Sequence, residues 1–368
     1  MSGLHTVTAR LDADVAAHRL QFDGGQREAA QRLDALCAAL RTQEPPGILL
    51  RLRSLLPWRS DAAAPPPRGL YLWGGVGRGK TLLMDLFFAT VRGGERSHFY
   101  HFMRNVHTEL ATIKQHAQPL DIVAQRIADR VRVICLDEFF VSDIGDAMIL
   151  AGLFEGLFRR GVTLVATSNL PPQELYKDGL QRQRFLPAID MIQAHVDVLH
   201  LDGGVDYRLR QLEMAPTYLD STLPGTPAAL RERFNALTGG GATGAATLTI
   251  EGRPIRALNV GAGTVWFEFN ELCQGPRSQN DYIELARLYH TIFISDIPVF
   301  DGTNENAARR FIMLIDEFYD RGVKIVVSAA AAPTALYHGE RVRFEFERAA
   351  SRLIEMQTQE YLAGQHRP

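Results

Sequence analysis

A chain of 368 residues with 46% hydrophobic and 22% charged side chains has the composition of a folded protein, and it is too long for one compact core. Forty Lys and Arg against 42 Asp and Glu leave a formal net charge of −2, which excludes a nucleic-acid polycation. The basic residues are unevenly drawn: only Lys80, Lys114, Lys177 and Lys324 are lysine and the other 36 are arginine, so each retained lysine invites a reason.

Cys37, Cys135 and Cys273 lie far apart with no CxxC pair, which argues against a disulfide framework and a zinc site. The N-terminus carries Asp12 and Asp14 and no apolar h-region, so it reads as neither a secretory signal nor a transit peptide. No apolar run approaches the ~18–20 residues of a spanning helix. A soluble cytoplasmic protein is expected.

In chain order, residues 11–42 carry Leu33, Leu36, Cys37 and Leu40 at helical spacing. A Pro- and Ala-rich linker with Pro65, Pro66 and Pro67 follows. From residue 69, strand-like runs at 69–73, 98–102, 131–136, 162–167 and 195–201 alternate with helical ones near 80–92, 103–117, 119–130 and 144–160. Such alternation means a parallel sheet covered on both faces. Gly239, Gly240, Gly241 and Gly244 mark a flexible loop, after which 247–250, 255–260 and 264–269 read as a small antiparallel meander. Helix and strand then alternate again to a closing amphipathic helix at 343–362. The expected domains are a helical arm at 1–60, an α/β domain at 61–237 and a second module at 238–368, the meander plus α/β stretch and closing helix.

The two α/β stretches resemble each other. A shift of 161 positions lays Arg160-Gly161-Val162 on Arg321-Gly322-Val323, Pro172 on Pro333 and Leu175-Tyr176 on Leu336-Tyr337. Upstream, Ile134-Cys135-Leu136-Asp137 falls near Phe293-Ile294-Ser295-Asp296. The second copy has no GK[ST] and carries Asp296-Ile297 where the first has Asp137-Glu138, so it is expected to be catalytically silent.

Chemistry concentrates in the first copy. Gly74-Gly75-Val76-Gly77-Arg78-Gly79-Lys80-Thr81 is a full GxxxxGK[ST], preceded by a strand and followed by a helical run from Leu82. Its glycines let backbone N–H groups point at phosphate oxygens, backed by the helix N-terminus. Lys80 would neutralise the β/γ-phosphates of ATP, and the Thr81 hydroxyl would ligate Mg²⁺. Asp137 ends an apolar strand and can hold the same ion, while Glu138 can polarise an attacking water. Cys135 reads as a small core residue. Asn169 ends the strand at 162–167, where it either orients water or γ-phosphate or caps the chain before Pro171-Pro172. Arg182 and Arg184 follow at the place where an arginine finger would reach a neighbouring subunit. An arrangement of phosphate loop, extra strand, Asp-Glu strand and polar strand end is that of the AAA+ class of P-loop NTPases.

The chain resembles the ZapE-type cell-division ATPases and their mitochondrial AFG-family relatives. Among the shared stretches are Gly69-Leu70-Tyr71-Leu72-Trp73-Gly74, His101-Phe102-Met103 with Val106-His107, Leu136-Asp137-Glu138-Phe139, Thr167-Ser168-Asn169, Gly179-Leu180-Gln181-Arg182, Asp206-Tyr207-Arg208, Phe267-Glu268-Phe269 and Glu360-Tyr361-Leu362. The resemblance implies an ATPase acting on the FtsZ ring, as a homo-oligomer, near the division site. It makes Arg182 the preferred finger, and it places a Gln after an Asp in the first helix. Asp23-Gly24-Gly25-Gln26 fits that pattern loosely, its glycines implying a frayed helix start. Two other readings compete. A DNA-handling ATPase of the helicase-loader kind shares every core element, although no basic run exceeds a pair such as Arg309-Arg310. A switch that only senses ATP is opposed by Glu138.

Overall fold

A computed structural model describes residues 6–17, 23–42, 66–75, 77–113, 116–141, 143–177, 179–201, 212, 215–239, 241–261 and 263–367. Val76, Lys114, Pro65 and Asp206-Tyr207-Arg208 lie outside them. Instead of the boundaries expected after residues 60 and 237, the chain divides into two compact units, 1–204 and 205–368.

The first unit is a five-stranded parallel sheet in the order β2-β3-β4-β1-β5, built from β1 (Gly69–Trp73), β2 (Gly94–His98), β3 (Val133–Asp137), β4 (Thr163–Ser168) and β5 (Val196–His200). Strand alternation sorts its side chains onto two faces. Leu70, Leu72, Val133, Cys135 and Val165 pack with α1 (Val7–Ala16), α2 (Gly24–Thr42) and α3 (Lys80–Phe88). Tyr71, Ile134, Leu136, Leu164 and Ala166 pack on the other face with α4 (Phe99–Thr112), α5 (Pro119–Ala128), α6 (Ile144–Arg159) and α7 (Leu186–His195). The helical arm is thus one layer of this unit. Cys135 is fully buried, and burial pushes its thiol up to about 12, which suits a core residue.

The strand expected at 98–102 is displaced. Phe99, Phe102, Met103 and Val106 are buried at spacings of three and four, so this stretch opens α4, and the strand ahead of it is Gly94–His98.

In the second unit β6 (Tyr218–Asp220), β9 (Asn259–Gly261), β10 (Thr264–Glu268), β11 (Thr291–Ile297) and β12 (Lys324–Ala329) form a sheet in the order β6-β12-β11-β10-β9. All neighbours are parallel except β9 and β10. No single meander forms. The run expected at 255–260 breaks at Leu258, whose N–H donates to the Trp266 carbonyl at 2.7 Å. Its first half, β8 (Arg253–Ala257), pairs with β7 (Ala246–Ile250) as a separate hairpin, and its second half joins β10.

The repeat is real in geometry, with a corrected register. The Tyr71 hydroxyl donates to the Leu170 carbonyl at 3.0 Å, and the Tyr218 hydroxyl donates to the Ala331 carbonyl at 2.6 Å. Gly74 N–H meets the Ser168 carbonyl as Ser221 N–H meets that of Ala329. β6 therefore stands where β1 does, and α8 (Thr226–Thr238) where α3 does, although both precede the Gly-rich loop at 239–244. The N–H of Glu138 donates to Thr167 Oγ1 at 3.2 Å, and that of Asp296 to Ser328 Oγ at 3.0 Å, both from backbones with positive φ, 50° and 62°. Asp296 thus answers to Glu138 rather than to Asp137, whose place Ser295 takes.

Lys324 has a reason after all. It is buried, its ammonium donates to the Tyr361 carbonyl at 2.6 Å and lies over the Tyr361 ring, and so it fastens the helix Gln359–Ala363 to the sheet. Lys177, 3.8 Å from Glu174, is exposed.

Candidate functional site

The phosphate loop runs from the end of β1 to the start of α3. Gly74, Gly77 and Gly79 have φ of 151°, 78° and 79°, which only glycine adopts without strain. Gly74 also lies so close to the chain after β5 that a Cβ would come within 2.6 Å of the Leu201 carbonyl oxygen. Lys80 Nζ donates to the carbonyls of Gly74 at 2.8 Å and Gly75 at 2.7 Å, and to Asn169 Oδ1 at 3.0 Å. Asn169, at the end of β4, is therefore brought to the loop. Thr81 and Leu82 occupy the first turn of α3 directly behind it.

Asp137 and Glu138 sit at the tip of β3. Glu138 leaves the strand in a left-handed conformation, its N–H bonded to the Thr167 hydroxyl, which itself donates to Asp137 Oδ1 at 3.3 Å. One β4 side chain thus positions both acids. Burial raises the Asp137 carboxyl pKa, a rise only partly offset by Arg96.

Two basic side chains of β2 face these acids, and sequence reasoning found neither. Arg96 Nε pairs with Asp137 Oδ2 at 2.5 Å, and its guanidinium also pairs with Asp85 of α3. His98 Nε2 lies 3.2 Å from Glu138 Oε2. Burial disfavours the His98 charge, but Glu138 and Asp137 outweigh it and raise the pKa above the ordinary histidine value. His101 is driven the other way, to about 4, by burial and by Arg104 and His98. Arg96 and His98 share a strand face by period-two spacing, with His98 in register with Asp137.

The remaining candidates stand apart in their contacts. Arg182 and Arg184 lie in a short 3₁₀ turn; Arg182 Nη2 donates to the Gln173 carbonyl at 2.5 Å, whereas Arg184 is exposed. Arg352 is paired inside the second unit with Asp316 and Asp320 and lies over Tyr319.

For ATP and Mg²⁺ the residues fit. A hydroxyl and a carboxylate are the hard oxygen donors Mg²⁺ prefers. Among its described residues the second unit offers no such cradle. Its equivalent loop, 221–225, lacks a lysine, Pro227 removes an N–H from the first turn of α8, and Asp220 Oδ1 already accepts from the Thr222 N–H and hydroxyl. Equilibrium dialysis with a non-hydrolysable ATP analogue should accordingly saturate at one nucleotide per chain; two would overturn the reading of a silent second unit.

The family model of AFG1-like ATPases matches residues 5–365. The chain is 49% identical over 353 residues to the cell division protein ZapE of Escherichia coli K12, covering 94% of each. It is 38% identical over 345 residues to lactation elevated protein 1 homolog B of Danio rerio, covering 80% of this chain and 68% of that one. With an uncharacterized protein of Schizosaccharomyces pombe it shares 34% identity over 335 residues, covering 80% and 74%.

Proposed function

The chain belongs to the AFG1-like ATPase family, and on that premise we propose that it hydrolyses ATP with Mg²⁺ to remodel or destabilise a protein assembly, the FtsZ division ring. The observation that carries the reading is a single ammonium, Lys80, joining the glycine loop at the end of β1 to Asn169 at the end of β4. Beside it, Thr167 ties β4 to the Asp137-Glu138 pair. The cell-division role of the ZapE relative supports the choice of client.

In this mechanism Lys80 exchanges its carbonyl partners for the β/γ-phosphates, and the loop N–H groups at the α3 N-terminus hold the β-phosphate. Mg²⁺ bound by Thr81 and Asp137 would neutralise phosphate charge. Glu138 takes a proton from water as its oxygen attacks the γ-phosphorus, and the bond to the β–γ bridging oxygen breaks with its electron pair leaving on ADP. Asn169 orients the water or the γ-phosphate. Arg184, exposed where Arg182 is tied to Gln173, supplies the finger to a neighbouring copy, so that turnover requires a homo-oligomer.

ATP turnover measured with FtsZ polymers and with DNA separates this reading from a helicase-loader role. Stimulation by FtsZ polymers is expected. Stimulation by DNA alone would transfer the assignment to the second reading.

A further inference from the structure

Gln26 is the one buried polar side chain of α2, 6% exposed on a helix whose other buried residues are Ala29, Ala30, Leu33, Leu36 and Cys37. Burying an amide is unfavourable unless its polar atoms are used. Gln26 Nε2 donates to the carbonyl of Arg78, inside the phosphate loop, at 3.2 Å. Its backbone is fixed in turn: Gln26 N–H donates to Asp23 Oδ1 at 3.0 Å, so Asp23 caps a helix that begins firmly at Gly24 despite the two glycines. The contact is close on the loop side as well. A Cβ on Gly79 would come within 2.6 Å of Gln26 Nε2.

The rest of the arm supports this residue. Asp34 of α2 accepts the N–H groups of Val7 and Thr8 at the start of α1, at 2.6 and 3.1 Å. The apolar side of α1 and α2 packs on Leu83, Met84 and Phe87 of α3. Gln26 is therefore delivered to the loop by elements that also grip the helix the loop leads into.

The consequence follows from peptide geometry. In a planar trans peptide the C=O and N–H point in opposite directions. A donor that holds the Arg78 carbonyl toward α2 turns the N–H of Gly79 away from α2. The Gly79 N–H is one of those that a GxxxxGK[ST] loop turns toward phosphate. We propose that Gln26 is a positioning residue for nucleotide: its side-chain amide fixes the 78–79 peptide so that the loop is preformed for a nucleoside triphosphate, and the N-terminal arm thereby sets nucleotide affinity. The inference rests on reading residues 74–81 as the nucleotide cradle.

The test is nucleotide affinity and steady-state kinetics of the full-length chain carrying Gln26→Met, which keeps the length and loses the donor, and Gln26→Glu, which sets an acceptor against the Arg78 carbonyl. Losing one hydrogen bond of this kind weakens binding about 3- to 10-fold. Gln26→Met should raise the Kd for an ATP analogue by that factor, with kcat held within about twofold and the Tm without nucleotide lowered by no more than about 4 °C. Gln26→Glu should raise the Kd further. Unaltered affinity in Gln26→Met, or a loss confined to Tm or kcat, overturns the proposal. Lys80→Ala, run in parallel, separates the two readings: if it binds nucleotide like wild type, the cradle assignment itself falls.

Discussion

Glu138→Gln is expected to bind ATP as tightly as wild type and to hydrolyse it at least about a hundredfold more slowly, the range lost when a general base is removed. Glutamine keeps the shape and hydrogen-bonding reach of the side chain but cannot take a proton. The position is set by the backbone: a φ of 50°, an N–H bonded to the Thr167 hydroxyl, and a carboxylate 3.2 Å from His98. None of these places the side chain in the loop that grips phosphate, so affinity should survive. Single-turnover hydrolysis beside equilibrium binding distinguishes the outcomes. Normal turnover would remove Glu138 from the catalytic role and leave Asp137 as the remaining acid.

Lys80→Ala should weaken ATP binding by about a hundredfold, the upper end for losing a charge-assisted contact to phosphate. Without nucleotide the fold should be nearly unaffected, since the ammonium's acceptors are two loop carbonyls and Asn169 at the mouth of the cradle rather than core groups. Lys80→Arg should not restore binding. The three acceptors lie between 2.7 and 3.0 Å around one nitrogen, and a planar guanidinium cannot collect them from a single point. Isothermal titration of both variants, with thermal melts as the folding control, checks the expectation. Wild-type affinity in Lys80→Ala would defeat it. In a chain that writes most of its cations as arginine, this lysine would answer to ligand geometry, and Lys324 answers to packing against the Tyr361 ring.

What was legible in the sequence is what is written locally. The glycine loop and the Asp-Glu strand end announce themselves within eight and six residues. The alternation of strands and helices specifies the class of the first sheet without its strand order. What was illegible depends on register between distant segments. The pairing of Arg96 with Asp137 requires β2 to lie beside β3, and the apolar spacing of Phe99 and Phe102 hid where β2 ended. The one-residue error in aligning the two repeats has the same origin. Only the hydrogen bonds to Thr167 and Ser328 reveal that Asp296 stands on Glu138, and an irregularity between Ile294 and Ile297 masks it in the sequence. Gln26 did leave a signal: with Ala30, Leu33 and Cys37 it falls on the apolar stripe of its helix, where an amide is out of place.

The position of β1 in its sheet bears on synthesis. Leu70 pairs with Val165 and Gly69 with Val196, so the strand made first is enclosed last. Contacts between such distant segments form only after a large loss of chain entropy. A nascent chain emerging from the ribosome can pair one edge of β1 once β4 has been made, where the Gly74 N–H meets the Ser168 carbonyl, but the other edge stays open until the Leu201 N–H closes on the Trp73 carbonyl at 2.8 Å. The cradle's strand is therefore enclosed on both edges only in a unit that translation has carried past residue 201, and nucleotide is expected to stabilise that complete unit most.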